Sequence, residues 1–143
     1  MNFPLTHLPE RTSGNRDYGL TMVMDKGLSL KESEHFIESS APFTDLVKFG
    51  FGTALITRDL KEKVKLYQGA GLKPYFGGTL FEMFFIRGEF EGFRKFVSES
   101  GLENVEVSDG TIKMEHEEKL ECISLLARDF QVLSEVGSKV KGV

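Results

Sequence analysis

Short apolar segments that end in glycine alternate with longer amphipathic segments along the whole of this chain, and no pair of them is joined by a hairpin signal. The apolar segments are LTMVMDKG from Leu20, DLVKFGFGT from Asp45, LKPYFGGT from Leu72, NVEVSDGT from Asn104 and FQVLSEVGS from Phe130. Each is rich in Val, Met, Leu or Phe and bounded by turn residues, as strands buried on both faces of a parallel sheet are. Strand starts recur every ~25–30 residues, the length of a strand plus a crossover helix. Five strands interleaved with four helical segments predict an α/β fold with a parallel sheet, either doubly wound or closed as a barrel.

The intervening segments carry helical spacing. In RDLKEKVKLYQGAG, Leu60, Val64 and Tyr67 share a face and Gly71 supplies a stop. In FEGFRKFVSESG, Phe90, Phe93, Phe96 and Val97 form a stripe that ends before Gly101. In MEHEEKLECISLLARDF, Leu120, Ile123 and Leu126 or Ala127 continue the pattern, and acids crowd the first turn, where the helix dipole favours them. SLKESEHFIESS is the weakest of the four, with Phe36 and Ile37 available to face a sheet. Residues 1–18 read as an irregular lead-in to a single domain spanning 1–143.

Composition narrows the function classes. A formal net charge of −4 argues against a nucleic-acid partner, because phosphate backbones require a basic face. No apolar run approaches the ~20 residues of a membrane span, and the first residues have no apolar core of a secretory signal. The single cysteine, Cys122, has no partner for an internal disulfide. A cytoplasmic, small-molecule function is the expectation. No GxGxxG follows the first strand and no GxxxxGK[ST] occurs, so neither nucleotide-binding loop is expected.

The strands hold ionisable residues where a core is expected. Alternation along a strand sends Val47 and Phe49 to the helices and leaves Lys48 facing inward. The same reading sends Met22 and Met24 to the helices and Asp25 inward, Val105 and Val107 outward, and Glu106 and Ser108 inward; Glu135 shares a face with Leu133. Buried charges are costly unless paired or solvated, so these residues either satisfy one another or form a site. Glu106 reads as a structural partner of Lys48, and Asp109 before Gly110 as a turn residue. Glu82 reads as a first-turn helix acid. The backbone of Gly77, Gly78 and Thr79 is suited to holding an oxyanion, especially with a helix starting at Leu80. His7, His35 and His116 share no metal spacing and read as surface residues, while FEMFFIRGEFEGF reads as core packing.

Taken together, DKG at Asp25–Gly27, DLVKFGFGT at Asp45–Thr53, GGTLFE at Gly77–Glu82, VEVSDGT at Val105–Thr111 and LSEVGSK at Leu133–Lys139 resemble the phosphosulfolactate synthase family. LPERTSGNRDYGL is similar to the lead-in of its bacterial members. The resemblance implies a (β/α) barrel of TIM type, of which this chain supplies about the first five βα units, in a family whose members run to roughly 250 residues. It implies a magnesium-dependent lyase that joins sulfite to phosphoenolpyruvate to give (2R)-phospho-3-sulfolactate, a reaction of coenzyme M biosynthesis. It places Asp25, Glu82, Asp109 and Glu135 around magnesium, Lys48 with Gly77, Gly78 and Thr79 at the substrate anions, and Lys139 as general acid. An incomplete barrel also implies a homo-oligomer, through its open edges. The competing expectations are a lyase of another phosphoenolpyruvate-type substrate and an inactive homologue acting as a binding or stress-related protein.

Overall fold

In the computed structural model, which describes residues 6–8 and 16–137, five strands form one sheet: β1 (Met22–Asp25), β2 (Leu46–Phe49), β3 (Lys73–Phe76), β4 (Asn104–Val107) and β5 (Gln131–Ser134). Their order is β1-β2-β3-β4-β5 and every pairing is parallel. A doubly wound sheet reverses its order at a switch point. This sheet does not. Sequential order, with crossovers of the usual hand, keeps the helices of consecutive βα units on one side of the sheet, as in a barrel. The fold is α/β, an incomplete TIM-type barrel.

Each predicted strand forms within its segment, and so does each predicted helix. The weakest segment becomes α1 (Leu30–Ser40) because its start is capped from both sides. Ser29 Oγ accepts from the Glu32 amide, and the Ser29 amide donates to Glu32 Oε2 at 2.8 Å. The next helix, α2 (Leu60–Gly69), stops at Gly71, whose φ of +76° suits glycine. A helix not counted from the sequence, α3 (Gly78–Phe85), follows β3 directly and begins two residues before Leu80. The phenylalanine stripe forms α4 (Phe90–Glu99), and α5 (His116–Leu126) has Glu117 and Glu118 in its first turn. The face of α5 differs from expectation: Lys119, Cys122 and Leu126 are buried and Leu120 is exposed. The buried stripe follows 119, 122 and 126, which brings a lysine inward for a reason given below.

The core lies between the sheet and the helices. Val47, Phe49, Phe76, Val105 and Val107 from the strands meet Val64, Tyr67, Leu80, Phe81, Phe93, Val97 and Leu126 from the helices. Phe49 sets its ring edge to those of Tyr67 and Phe76, at 6.0 and 5.9 Å between centroids. The three histidine expectations hold for His7, His35 and His116, all exposed. Among the described residues no helix is long and apolar enough to cross a membrane.

One facing is reversed. Val23 and Asp25 are in register with Val47 and Phe49, so Asp25 points into the helix layer, while Met24 pairs with Lys48 on the inner face. The sequence alone offered two methionines to the helices. Polar partners on α1 and α2 decide the matter instead.

Candidate active site

Lys48 sits on the inner face near the C-terminal end of β2, with its side chain 13% exposed. Its ammonium lies 2.6 Å from Glu106 Oε1, on β4, and 3.9 Å from Glu135 Oε2, just past β5. The pairing expected between Lys48 and Glu106 is therefore present, and the inward facing of Glu106 holds; Glu135, whose face the sequence left open, also turns toward Lys48. Glu106 Oε1 also accepts the Gly78 amide at 2.7 Å, so the N-terminus of α3 is already occupied by an internal carboxylate. The Gly77 amide goes to the Phe49 carbonyl at 3.0 Å. Tyr75, in register with Lys48, has its hydroxyl pKa pushed up by burial and by the neighbouring Glu106, to which it hydrogen-bonds.

The glycine pair makes this cluster possible. A Cβ on Gly77 would lie 2.7 Å from Lys48 Cε and 3.1 Å from the Phe49 carbonyl oxygen. On Gly78 it would lie 2.2 Å from Ser108 Cβ. The lysine stem and the α3 terminus can pass this closely only where side chains are absent. Gly77 and Gly78 thus act as space for Lys48, Glu106 and Ser108.

The acids divide into two groups. Asp25 is 1% exposed, and its oxygens receive Lys63 Nζ at 2.6 Å and Tyr67 Oη, Gly27 N and Leu28 N at 2.8 Å each. Burial alone would raise its pKa; the Lys63 ammonium, with the two amides and the tyrosine hydroxyl, outweighs it and holds the carboxyl below its ordinary value. Glu82, 2% exposed, accepts from Ser108 Oγ at 2.6 Å and from the Thr111 hydroxyl. It lies past the first turn of α3 and ties that helix to the loop after β4, a position the first-turn expectation did not anticipate. Asp109 and Glu135 are different: each side chain is 31% exposed. Lys119 Nζ bridges Asp109 Oδ1 and the Glu135 carbonyl, at 2.6 and 2.7 Å, which explains why α5 turns a lysine inward.

Magnesium takes one or two protein carboxylates and completes its octahedron with water and substrate oxygens. Asp109 and Glu135 are the partly exposed acids of the four, with Asp109 Oδ1 held by Lys119, whereas Asp25 and Glu82 are buried with their oxygens engaged by internal donors. Among the described residues no group of three or more acids, histidines or cysteines converges to hold a metal. Lys139, the expected general acid, lies outside the described residues.

Two contributors were missed from the sequence. Lys63 and Lys119 sit on the apolar faces of their helices, at i+3 from Leu60 and i−3 from Cys122. A lysine in such a stripe signals a buried acid across the interface, since lysine is rarely buried unpaired.

Sequential parallel strands with their charged inner-face residues gathered toward the C-terminal ends define the (β/α)-barrel class, in which catalytic groups occupy that end. Within the class, residues 9–142 match the family model described as (2R)-phospho-3-sulfolactate synthase (ComA), and the chain belongs to this family. It is 37% identical over 139 residues to the phosphosulfolactate synthase of Bacillus subtilis (strain 168), covering 97% of this chain and 55% of that one. To the phosphosulfolactate synthase of Methanothermobacter thermautotrophicus it is 39% identical over 134 residues, 92% of this chain and 52% of the other. To that of Methanocaldococcus jannaschii it is 44% identical over 126 residues, 85% and 50% respectively. The chain spans about half the length of the curated relatives it matches.

Proposed function

We propose that this chain forms part of a cytoplasmic phosphosulfolactate synthase-type site, which adds sulfite to phosphoenolpyruvate to give (2R)-phospho-3-sulfolactate. The observation that carries the reading is Lys48, anchored by Glu106 and flanked by Glu135 at the strand ends. An ammonium has three N–H donors. With Glu106 at 2.6 Å and Glu135 beyond hydrogen-bond range at 3.9 Å, Lys48 keeps donors for an anion lying over the inner face.

In the reaction the sulfur lone pair of sulfite forms a bond to C3, the C2–C3 π pair moves toward C2 and the carboxylate, and a proton is delivered to C2. Lys48 orients the substrate by a charge-assisted hydrogen bond. Lys139 is the proposed proton donor to C2. Asp109 and Glu135 would hold magnesium, whose charge would stabilise negative charge on the substrate carboxylate. Parallel edges on β1 and β5 favour self-association of the chain, which light scattering at low concentration tests by a mass above that of the monomer. The functional test is calorimetric titration of phosphoenolpyruvate. Binding that tightens with magnesium supports the reading; equal affinity with and without it removes the metal.

A further inference from the structure

Two oxyanions must meet in the reaction proposed above, yet the Lys48 cluster supplies no net positive charge. Glu106 and Glu135 place two carboxylates against its one ammonium. The cation at Asp109, Lys119, is likewise matched to an acid. An anion brought to this end of the sheet needs a cation that is not already neutralised.

Lys26 meets that need. It follows β1 directly and, by continuing the β1–β2 register one step past Asp25 and Phe49, falls level with Gly50. It is exposed, and among the described residues no carboxylate pairs with it. Its ammonium lies over the Phe51 ring, 5.7 Å from the centroid. Phe51 is itself unusual: a bulky residue at φ 55° and ψ 22°, 63% exposed. That left-handed conformation is uncommon for a non-glycine side chain and is concentrated at functional positions.

Lys26 also lines a cleft of about 470 Å³ between the loop after β1 and the loop before α2, with Arg58 among its other lining residues. The first loop is fixed from beneath. Asp25 accepts the Gly27 and Leu28 amides, and Lys63 donates to the Leu28 carbonyl. The second is fixed by Thr53 Oγ1 on the Gly50 carbonyl and Thr57 Oγ1 on the Thr53 carbonyl, both at 2.8 Å. Two acids also line the cleft, so its formal charge balances, but Glu32 is turned onto the Ser29 amide and hydroxyl, Asp59 is exposed, and among the described residues neither forms an ion pair with Lys26 or Arg58. The buried Asp25–Lys63 pair, which contributes nothing directly to the inner face, thereby acquires a purpose. It holds rigid the loop that presents Lys26.

We propose that this cleft is an oxyanion subsite in which Lys26, seated on Phe51, and Arg58 hold the phosphoryl or sulfite group of the incoming substrate. The proposal rests on the sulfite-addition reading for its substrate class, and its test separates the two. Inorganic phosphate, and sulfite in a second titration, are added to the whole chain while backbone amide shifts of residues 26–30 and 53–58 are followed by NMR. Saturable shifts are expected there, with the tighter of the two anions naming the group held. One charge-assisted hydrogen bond is worth ~1.5–3 kcal/mol, so Lys26→Gln and Arg58→Gln should each weaken binding roughly tenfold or more. Lys31→Gln, which alters an exposed lysine paired with Glu34 on α1, should leave it unchanged. Absence of saturable shifts in the unmodified chain, or equal affinity in Lys26→Gln, overturns the subsite. Turnover is read on the chain joined to the matching remainder of the Bacillus subtilis relative. If the anion binds and Lys26→Gln loses it while this chimera never consumes phosphoenolpyruvate and sulfite, the subsite stands and the reaction falls. If the Lys26→Gln chimera consumes both at the unmodified rate, the reaction stands and the subsite falls.

Discussion

Replacing Gly78 with alanine tests whether the glycine pair is there to make room for the charged cluster. The new Cβ would sit 2.2 Å from Ser108 Cβ, where ordinary contact begins at 3.4 Å, and 3.0 Å from Glu106 Oε1. Ser108 Cβ belongs to a buried residue at a strand end and has no flexible arm to swing aside, so about 1.2 Å must come from moving α3 against β4. Overpacking of this kind costs about 1–3 kcal/mol. The same movement stretches the Gly78 amide away from Glu106, a hydrogen bond to a charged group worth ~1.5–3 kcal/mol. Better helix propensity returns at most ~1 kcal/mol. The net expectation is a loss of ~2–5 kcal/mol, or about 4–20 °C in Tm for a chain of this size. Gly69→Ala is the matched control, since nothing lies within 4 Å of its added Cβ at the end of α2, and it should be neutral or slightly stabilising. Urea and thermal unfolding read both variants. A Gly78→Ala protein within about 0.5 kcal/mol of the unmodified chain would refute the steric argument.

Asp25→Asn should destabilise the chain by roughly 3–5 kcal/mol at neutral pH by leaving Lys63 buried without its counter-charge. Because the folded Asp25 carboxyl is held below its ordinary 3.8, its stabilisation is fully present above that value and is lost as pH falls through the lower folded value. Unfolding measured across pH 2–7 should therefore show the gap to Asp25→Asn narrowing only below about pH 4; a gap constant to pH 2 would contradict the pairing. Lys48→Met should abolish phosphoenolpyruvate binding by calorimetry and lower stability by stranding Glu106, and adding Glu106→Gln should recover stability without recovering binding. Recovery of both would make Lys48 a structural residue only. Lys139→Ala should leave phosphoenolpyruvate affinity nearly unchanged and cut turnover by roughly 10²–10⁴, the usual share of a general acid; normal turnover would move that role elsewhere.

The strands and helices were legible because periodicity is a local property, and each segment carries its own. The choice between barrel and doubly wound sheet was not local; it required the strand order. The inner-face placement of Lys48, Glu106 and Ser108 followed from simple alternation, since hydrophobic neighbours at Val47, Phe49, Val105 and Val107 fixed the register. At β1 the same rule failed, because Met22, Val23 and Met24 are all apolar and give alternation no direction. Only Lys63 and Tyr67, 38 and 42 residues further on, draw Asp25 to the helix side. α3 was missed as a counted helix because GTLFEMFF is apolar nearly all round and so lacks a polar face to mark its period. The role of Gly77 and Gly78 was read as anion binding, while their close approach to Lys48 and Ser108 depends on tertiary distances that no spacing encodes.

The central claim, that this chain carries working parts of a sulfite-adding site, is tested most directly by joining it to the matching remainder of the Bacillus subtilis phosphosulfolactate synthase. Conversion of phosphoenolpyruvate is then followed by ³¹P NMR with sulfite and magnesium, using the intact relative as reference. The account predicts a new phosphorus resonance for phosphosulfolactate that requires sulfite and disappears in the Lys48→Met chimera. A folded chimera that leaves phosphoenolpyruvate untouched, or one that turns it over equally well with Lys48→Met, would contradict it.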